Sequence, residues 1–544
     1  MKVKNLLMAV AAGLALVGCN NEDANRPGET GEYGEPQYLS VNINAKGGVG
    51  MKAGDYEDGS AEENKVNKVR FYFFKADGTS TNVKTITGEE KSYYDYTPGA
   101  QTLTPSDENV EKIVNATIVV KTQEGENVPA SIIAVINPPT ALGEINDIDE
   151  LNDLVDDYSS TTGGFIMSNS VYVKDGKLME EVSVAGHLYP TETAALANPV
   201  TIYVERVLAK ARLTVGLTEV TPGIYSTGEN YEGESIYVKF DGWNVTRTTA
   251  ESPLMKAIVA TWNLGWTWNT SDYFRSFWAY NPNTKSFQWG DFNGDAITGG
   301  SNVNPANAIK AFNSTGTNYT YMQENAADNA TGANPAKPTQ VIIAAHLVHA
   351  NGDAFEIAEY GGERTTKDGV INKFAAACGL WKDKADGTGK EQIAISDITL
   401  KTPTELGMNP SEATTGNYKV YAQLSITGKG ITWYKSNAED AESITTEEAN
   451  TALKNLGGAK VWAGGNTYYF FDIKHFGTGN NGSVGVVRNH VYDATIKSLV
   501  GLGTPVYNPD DIIYPEKPGD ETYIAAEIKV LSWRIVKQDI SLEW

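Results

Sequence analysis

Apolar and polar positions alternate in short runs along most of the chain, the period-two signature of strands that bury one face. In "YLSVNIN", Leu39, Val41 and Ile43 alternate with Ser40, Asn42 and Asn44. "KVRFYFFKADGT" places Val69, Phe71 and Phe73 on one face before a DG turn. "NATIVVK", "ASIIAVINPP", "TQVIIAAHLV" and "YKVYAQLSITG" read as further strands, the last with Val420, Ala422, Leu424 and Ile426 in phase. "SIYVKFDGWNVT" alternates at Ile236, Val238 and Phe240, and Gly242 predicts a bulge before Trp243 and Val245. Helical spacing is rarer. Ile148, Leu151, Val155 and Tyr158 predict one short amphipathic helix, and "TTEEANTALKNL" predicts another.

Many short strands with few helices predict a mainly β chain of two β-sandwiches. "TIYVERVLAKARLTVGL" carries Val207, Ala209, Ala211, Leu213 and Val215 on one face of a long strand, and a first domain is expected to end just after it. The expected division is a leader at 1–18, a polar tether at 19–36, an N-terminal sandwich at 37–218, a C-terminal sandwich at 219–503, and a Pro-rich linker with a tail at 504–544. No short-period repeat is visible.

The tail "YIAAEIKVLSWRIVKQDISLEW" has the pattern of core sequence. Ile524, Ala526, Ile528 and Val530 share one parity. Leu531, Trp533 and Ile535 continue on the other, so a bulge or a step between two strands is expected near Val530 and Leu531. Ile540, Leu542 and Trp544 resume the alternation. The linker before it holds Pro505, Pro509, Pro515 and Pro518, which favour extended chain at ~3 Å per residue. Such a tail completes its own sheet or the sheet of a neighbour.

A length of 544 residues with 41% hydrophobic residues and 53 glycines fits a globular, turn-rich protein of two or more domains. The net charge of −24 argues against nucleic acid and against adsorption to an anionic membrane. "MKVKNLLMAVAAGLALVGC" pairs Lys2 and Lys4 with a short apolar run, a signal-peptide pattern. It ends in a lipobox, Leu16-Val17-Gly18-Cys19, which predicts lipidation (palmitate) of Cys19. The other reading is a plain secretory signal. Removing 1–18 takes two lysines and brings the charge to −24 − 2 = −26. Cys378 is then the one remaining cysteine, so no intrachain disulfide is expected and stability must come from the cores.

Nothing in the sequence predicts an enzyme, a cofactor or a metal. His346 and His349 lie three apart, which on a strand points them to opposite faces. "GDFNGD" spaces Asp291, Asn293 and Asp295 like a calcium loop, but Ala296 and Asn302 stand where Gly and Glu are required, and a polar turn is the better reading. "TWNLGWTWNTSDYFRSFWAYNP" is dense in aromatics. Buried, it is core or subunit contact; exposed, it is a platform for sugar rings.

Several stretches together carry a family resemblance: the lipobox, "VERVLAKARL", "DYFRSFWAYNP", "YYFFDIKHFG", "VGVVRNHVYDATIKSLVGLGTP" and "IAAEIKVLSW". The chain resembles the fimbrillins of type V pili from Gram-negative anaerobes, most of all the major subunit of the short fimbriae. The resemblance implies two β-sandwich (transthyretin-like) domains and an outer-membrane lipoprotein precursor. It implies that a trypsin-like protease cuts a loop after the first strand. That strand then leaves with the lipid, and a neighbour's C-terminal segment fills the vacated groove. Carried onto this chain, the displaced strand holds Leu39, Val41 and Ile43. The cut falls in "MKAGD" between Lys52 and Ala53, with Lys46 as a second candidate. Lys52 stands where the family pattern has Arg, which implies a Lys-cutting enzyme or one that accepts both bases. The donor strand holds Ile524, Ala526, Ile528, Val530, Leu531, Trp533 and Ile535. Implied partners are further copies in a fibre, minor, tip and anchor pilins, the protease, and a host or bacterial surface receptor. The membrane is met only through the lipid on Cys19. Two alternatives remain from the sequence: a glycan-binding surface lipoprotein built on the Trp-rich segment, and a tip adhesin of the same pilus.

Overall fold

A computed structural model of the chain describes residues 33–46, 59–99, 110–122, 127–170, 172–174, 177–246, 248–249, 251–257, 319–326, 339–408, 418–425, 430–473, 475, 485–508 and 523–532. The fold is mainly β, and three of its hydrophobic cores organise it.

The N-terminal sheet has ten strands. Its centre is built from β1 (Gln37–Lys46), β2 (Val69–Phe74), β3 (Val110–Thr122), β4 (Ser131–Ile136), β5 (Met167–Asn169) and β6 (Val200–Arg206), in the order β3-β1-β6-β5-β4-β2. Period-two alternation sends one side chain in two into a shared core: Leu39 and Val41, Phe71 and Phe73, Ile118, Ile132 and Ala134, Ile202 and Val204. The opposite parity of β2 and β4 packs Tyr72, Phe74, Ile133 and Val135 under helix α1 (Ile148–Asn152).

The helix expected through Tyr158 stops six residues early. Asp153 caps it, and Val155 instead pairs with Pro253. Helical spacing held over one turn only, and the ladder beyond it satisfied the backbone better.

The long strand expected over 201–217 is two strands. β6 ends at Arg206, and β7 (Ala209–Val215) belongs to a different sheet. Val207 and Leu208 fall in separate N-terminal clusters at this crossing.

The second core lies between two sheets. A six-stranded sheet contains β8 (Ile224–Tyr231) and β9 (Glu234–Thr246). β10 (Thr320–Met322) joins β7 in the opposing sheet, and β11 (Gln340–Val348) extends the first. The register of β9 against β11 shifts between Phe240 and Gly242, the bulge that Gly242 predicts.

Residues 349–465 interrupt this sandwich and carry a core of their own. Helix α2 (Lys367–Ala377) contributes Val370 and Phe374, and helix α3 (Thr446–Lys454) contributes Ala449 and Leu453. Thr445 and Glu448 form the capping box of α3. β12 (Asn466–Asp472) then returns to pair with β11, from Asn466 opposite His346 to Asp472 opposite Gln340. The two-sandwich expectation did not foresee this inserted unit, because its strands are as short and alternating as those around it.

β13 (His490–Val500) and β14 (Tyr523–Ser532) complete the opposing sheet, whose order is β10-β7-β13-β14.

Candidate functional site

The site of interest is a strand and its slot. β1 lies between two partners. It is antiparallel to β3, with Leu39 opposite Ile118 and Val41 opposite Ala116, and parallel to β6, with Val41 opposite Val200. Leu39 and Val41 are fully buried, and Ser40 between them is buried too. Ile43 is opposite Val114 and Ile202, next to a register irregularity. Loss of β1 would expose two rows of backbone donors and acceptors, together with the core positions of Leu39 and Val41. A groove of about 580 Å³ opens where the chain enters β1, lined in part by Pro36, Thr122, Val128 and Leu188.

The tail strand β14 pairs with β13 of its own chain. Ile524, Ala526, Ile528 and Val530 stand opposite Leu499, Ile496, Ala494 and Tyr492, all four members of the second core. The step expected between Val530 and Leu531 is absent. The register runs unbroken from Ala526 to Ser532, and the irregularity lies on the partner strand, between Ile496 and Ser498. One extra residue in β13 restores Leu499 to the core parity, so the tail itself needs no bulge. Leu531 stands opposite Val491, which belongs to the first core. β13 thus contributes to both cores.

The sequence reading missed the junction between these parts. Lys210 sits on β7 at a parity that reads as exposed, yet its side chain is 1% exposed and bonded to Glu63 at 2.9 Å. Arg206 donates through Nε to the Glu63 carbonyl at 3.1 Å and through Nη2 to the Asn64 carboxamide. Lys256 pairs with Glu205 at 2.7 Å and Arg488 with Glu324 at 2.9 Å, again with all four side chains buried. Burial pulls the Glu63 carboxyl upward, but the Lys210 ammonium and hydrogen bonds from Ser60, Lys210 and Tyr321 hold it below the usual carboxylate range. Charged residues inside the apolar runs "YVERVLAKARL" were the available signal.

Cys19, Lys52, Ala53, Trp533 and Ile535 lie outside the described residues, as do the Trp-rich segment 261–282 and the Asp291–Asp295 turn. Lys46 is the last residue of β1 and is held in the ladder opposite Val110.

Residues 460–539 match the family model of the C-terminal part of fimbrillin, the major fimbrial subunit protein type IV. The matched stretch contains β12, β13 and β14. A comparison with curated proteins returned no match. Among solved structures, a fimbrilin from Porphyromonas gingivalis is similar at 11% identity, covering 92% of this chain and 99% of its own, with a TM-score of 0.37. A candidate cell adhesion protein from Bacteroides eggerthii covers 93% and 98% at 12% identity, with a TM-score of 0.39. The tip fimbrial protein Mfa3 from Porphyromonas gingivalis, with a C-terminal truncation, covers 91% and 100% at 12% identity, with a TM-score of 0.30.

Proposed function

We propose that the protein is a structural pilin, a fimbrial major subunit that polymerises by exchanging one strand for another and supports adhesion. The observation that carries the reading is the fimbrillin match over residues 460–539. In this reading the precursor is lipidated at Cys19 and reaches the outer membrane. Proteolysis between Lys52 and Ala53 then frees the piece that holds β1, and the mature chain joins a cell-surface fimbrium with tip and anchor pilins.

The pairing of the two strands supports the exchange step. β1 has a ladder on each side, whereas β14, among the described residues, is the last strand in the order of its sheet and has one. Both are ten residues long. A tail that moved into a vacated β1 slot would gain a second ladder, at roughly 0.5–1.5 kcal/mol net per hydrogen bond. While β1 is in place the slot is closed, and β14 has a partner in β13. The β1 slot is therefore closed before processing, and one edge of β14 is paired with β13.

The test compares three samples: full-length protein, protein cut by a low dose of trypsin, and a chain ending at Asp520. Ladders of polymer in denaturant-resistant gels are expected only from the cut, full-tailed sample. Ladders from the shortened chain would falsify strand donation by the tail.

A further inference from the structure

Residues 59–64 form a small, internally closed turn. The Ser60 N–H donates to the Glu63 carboxylate at 2.7 Å, and the Glu63 N–H donates back to Ser60 Oγ at 3.3 Å. The Asn64 N–H donates to the Ser60 carbonyl at 3.0 Å, and Asn64 Nδ2 donates to the Gly59 carbonyl at 3.0 Å. Gly59 packs closely on the junction: a Cβ there would meet the tips of the Arg206 and Asn64 side chains, which would have to shift.

The turn is bonded outward to three strands. Glu63 accepts from Lys210 Nζ on β7 at 2.9 and 3.2 Å and from the Tyr321 hydroxyl on β10 at 2.8 Å. Arg206, the last residue of β6, holds the Glu63 carbonyl and the Asn64 side chain. Glu63 and Lys210 are 2% and 1% exposed, so water does not compete for these bonds. The rungs continue across the sheet: Tyr321 pairs with Lys210, Lys210 with Val491, and Val491 with Leu531. Each partner lies downstream of residue 64, on strands that would remain after the release of β1.

We propose that the Gly59–Asn64 turn is a retention latch: once the chain is cut within residues 47–58, it holds the new downstream end on the domain junction. It rests on the processing reading above. The latch sets where the departing piece ends, because β1 and the residues before the cut leave while the turn stays. It also fixes Lys210 and Tyr321, and with them the row that ends at Leu531, during the interval when the first core lacks Leu39 and Val41.

The test places the recognition sequence of a site-specific protease within residues 47–58 of the full chain, so that the cut does not depend on a native protease. Hydrogen exchange is then followed by mass spectrometry at 59–66 and 523–532, with 340–348 as the folding control. After cutting, wild type is expected to keep both segments protected. Glu63→Ala is expected to speed exchange at 59–66 by tenfold or more in the cut chain and by much less in the uncut one, where the turn is still tethered on both sides. Tyr321→Phe, a gentler change, should give an intermediate acceleration and covers the case in which Glu63→Ala does not fold. Loss of protection at 59–66 on cutting wild type, or equal acceleration in cut and uncut variants, would overturn the latch. If 59–66 stays protected but β1 never dissociates, the latch stands and the strand-release reading falls.

Discussion

Glu63 meets Lys210 at 2.9 Å, with both side chains almost entirely removed from water. The residues are 147 positions apart, and the bond ties the first turn after the candidate cleavage loop to the sheet that carries the tail. Removing one partner of such a pair leaves a buried charge uncompensated, at about 3–5 kcal/mol. Glu63→Ala and Lys210→Ala are each expected to lower stability by that amount in urea titrations. The double variant should cost less than the sum of the two.

The same carboxyl has a pH signature. Its folded pKa lies below the usual carboxylate value, so its stabilising contribution is complete above that ordinary value and is lost as pH falls through the folded pKa. Wild type should therefore lose stability faster than Glu63→Gln as the solution is acidified below about pH 4. Parallel acid-unfolding curves for the two proteins would count against the pairing.

Glu180 works in the opposite direction. Burial raises its carboxyl to about 7, assisted by Glu181 and Asp149, against a hydrogen bond from Asn152. A carboxyl with a raised folded pKa favours its neutral form in the native state. Stability should then fall as pH rises from about 4.5 to about 7, by roughly 2–3 kcal/mol. Glu180→Gln should flatten that part of the profile and be the more stable protein at pH 8, which thermal melts across the range would reveal.

Leu39 is fully buried in the first core and stands opposite Ile118. Leu39→Ala should cost about 2–5 kcal/mol by loss of burial and formation of a cavity. Because the loss resides in β1, the variant should release the β1 piece faster than wild type after cutting within 47–58. Size-exclusion of the cut proteins measures this.

Two shortened chains separate the parts of the tail. A chain ending at Thr522 lacks β14 and leaves the backbone edge of β13 without its ladder over His490–Val500. It should lose monomer stability and bind more hydrophobic dye. A chain ending at Ser532 keeps β14 and its ladder with β13. If the second chain polymerises normally after cutting, residues 523–532 suffice as donor; if it does not, residues 533–544 are required.

Local pattern was enough for much of the chain. The alternation at Leu39 and Val41, the helix within "TTEEANTALKNL" and the bulge at Gly242 follow from side-chain period, helix-forming residues and a residue without a Cβ. The helix that stops at Asn152 and the strand that breaks after Arg206 were misread for one reason: both are decided by partners far along the chain, Pro253 in one case and the β13 ladder in the other.

The sequence by itself determined that β1 and the tail are strands, that each has an apolar parity, and that a stretch near the tail carries the fimbrillin pattern. Tertiary structure alone decided that β1 is a central strand with two ladders while β14, among the described residues, has one, because pairing depends on which backbone edges meet once the sheet has formed. It also decided that Lys210 is buried. A charge can leave water only where its counter-charge arrives, and Glu63 is brought there by the fold.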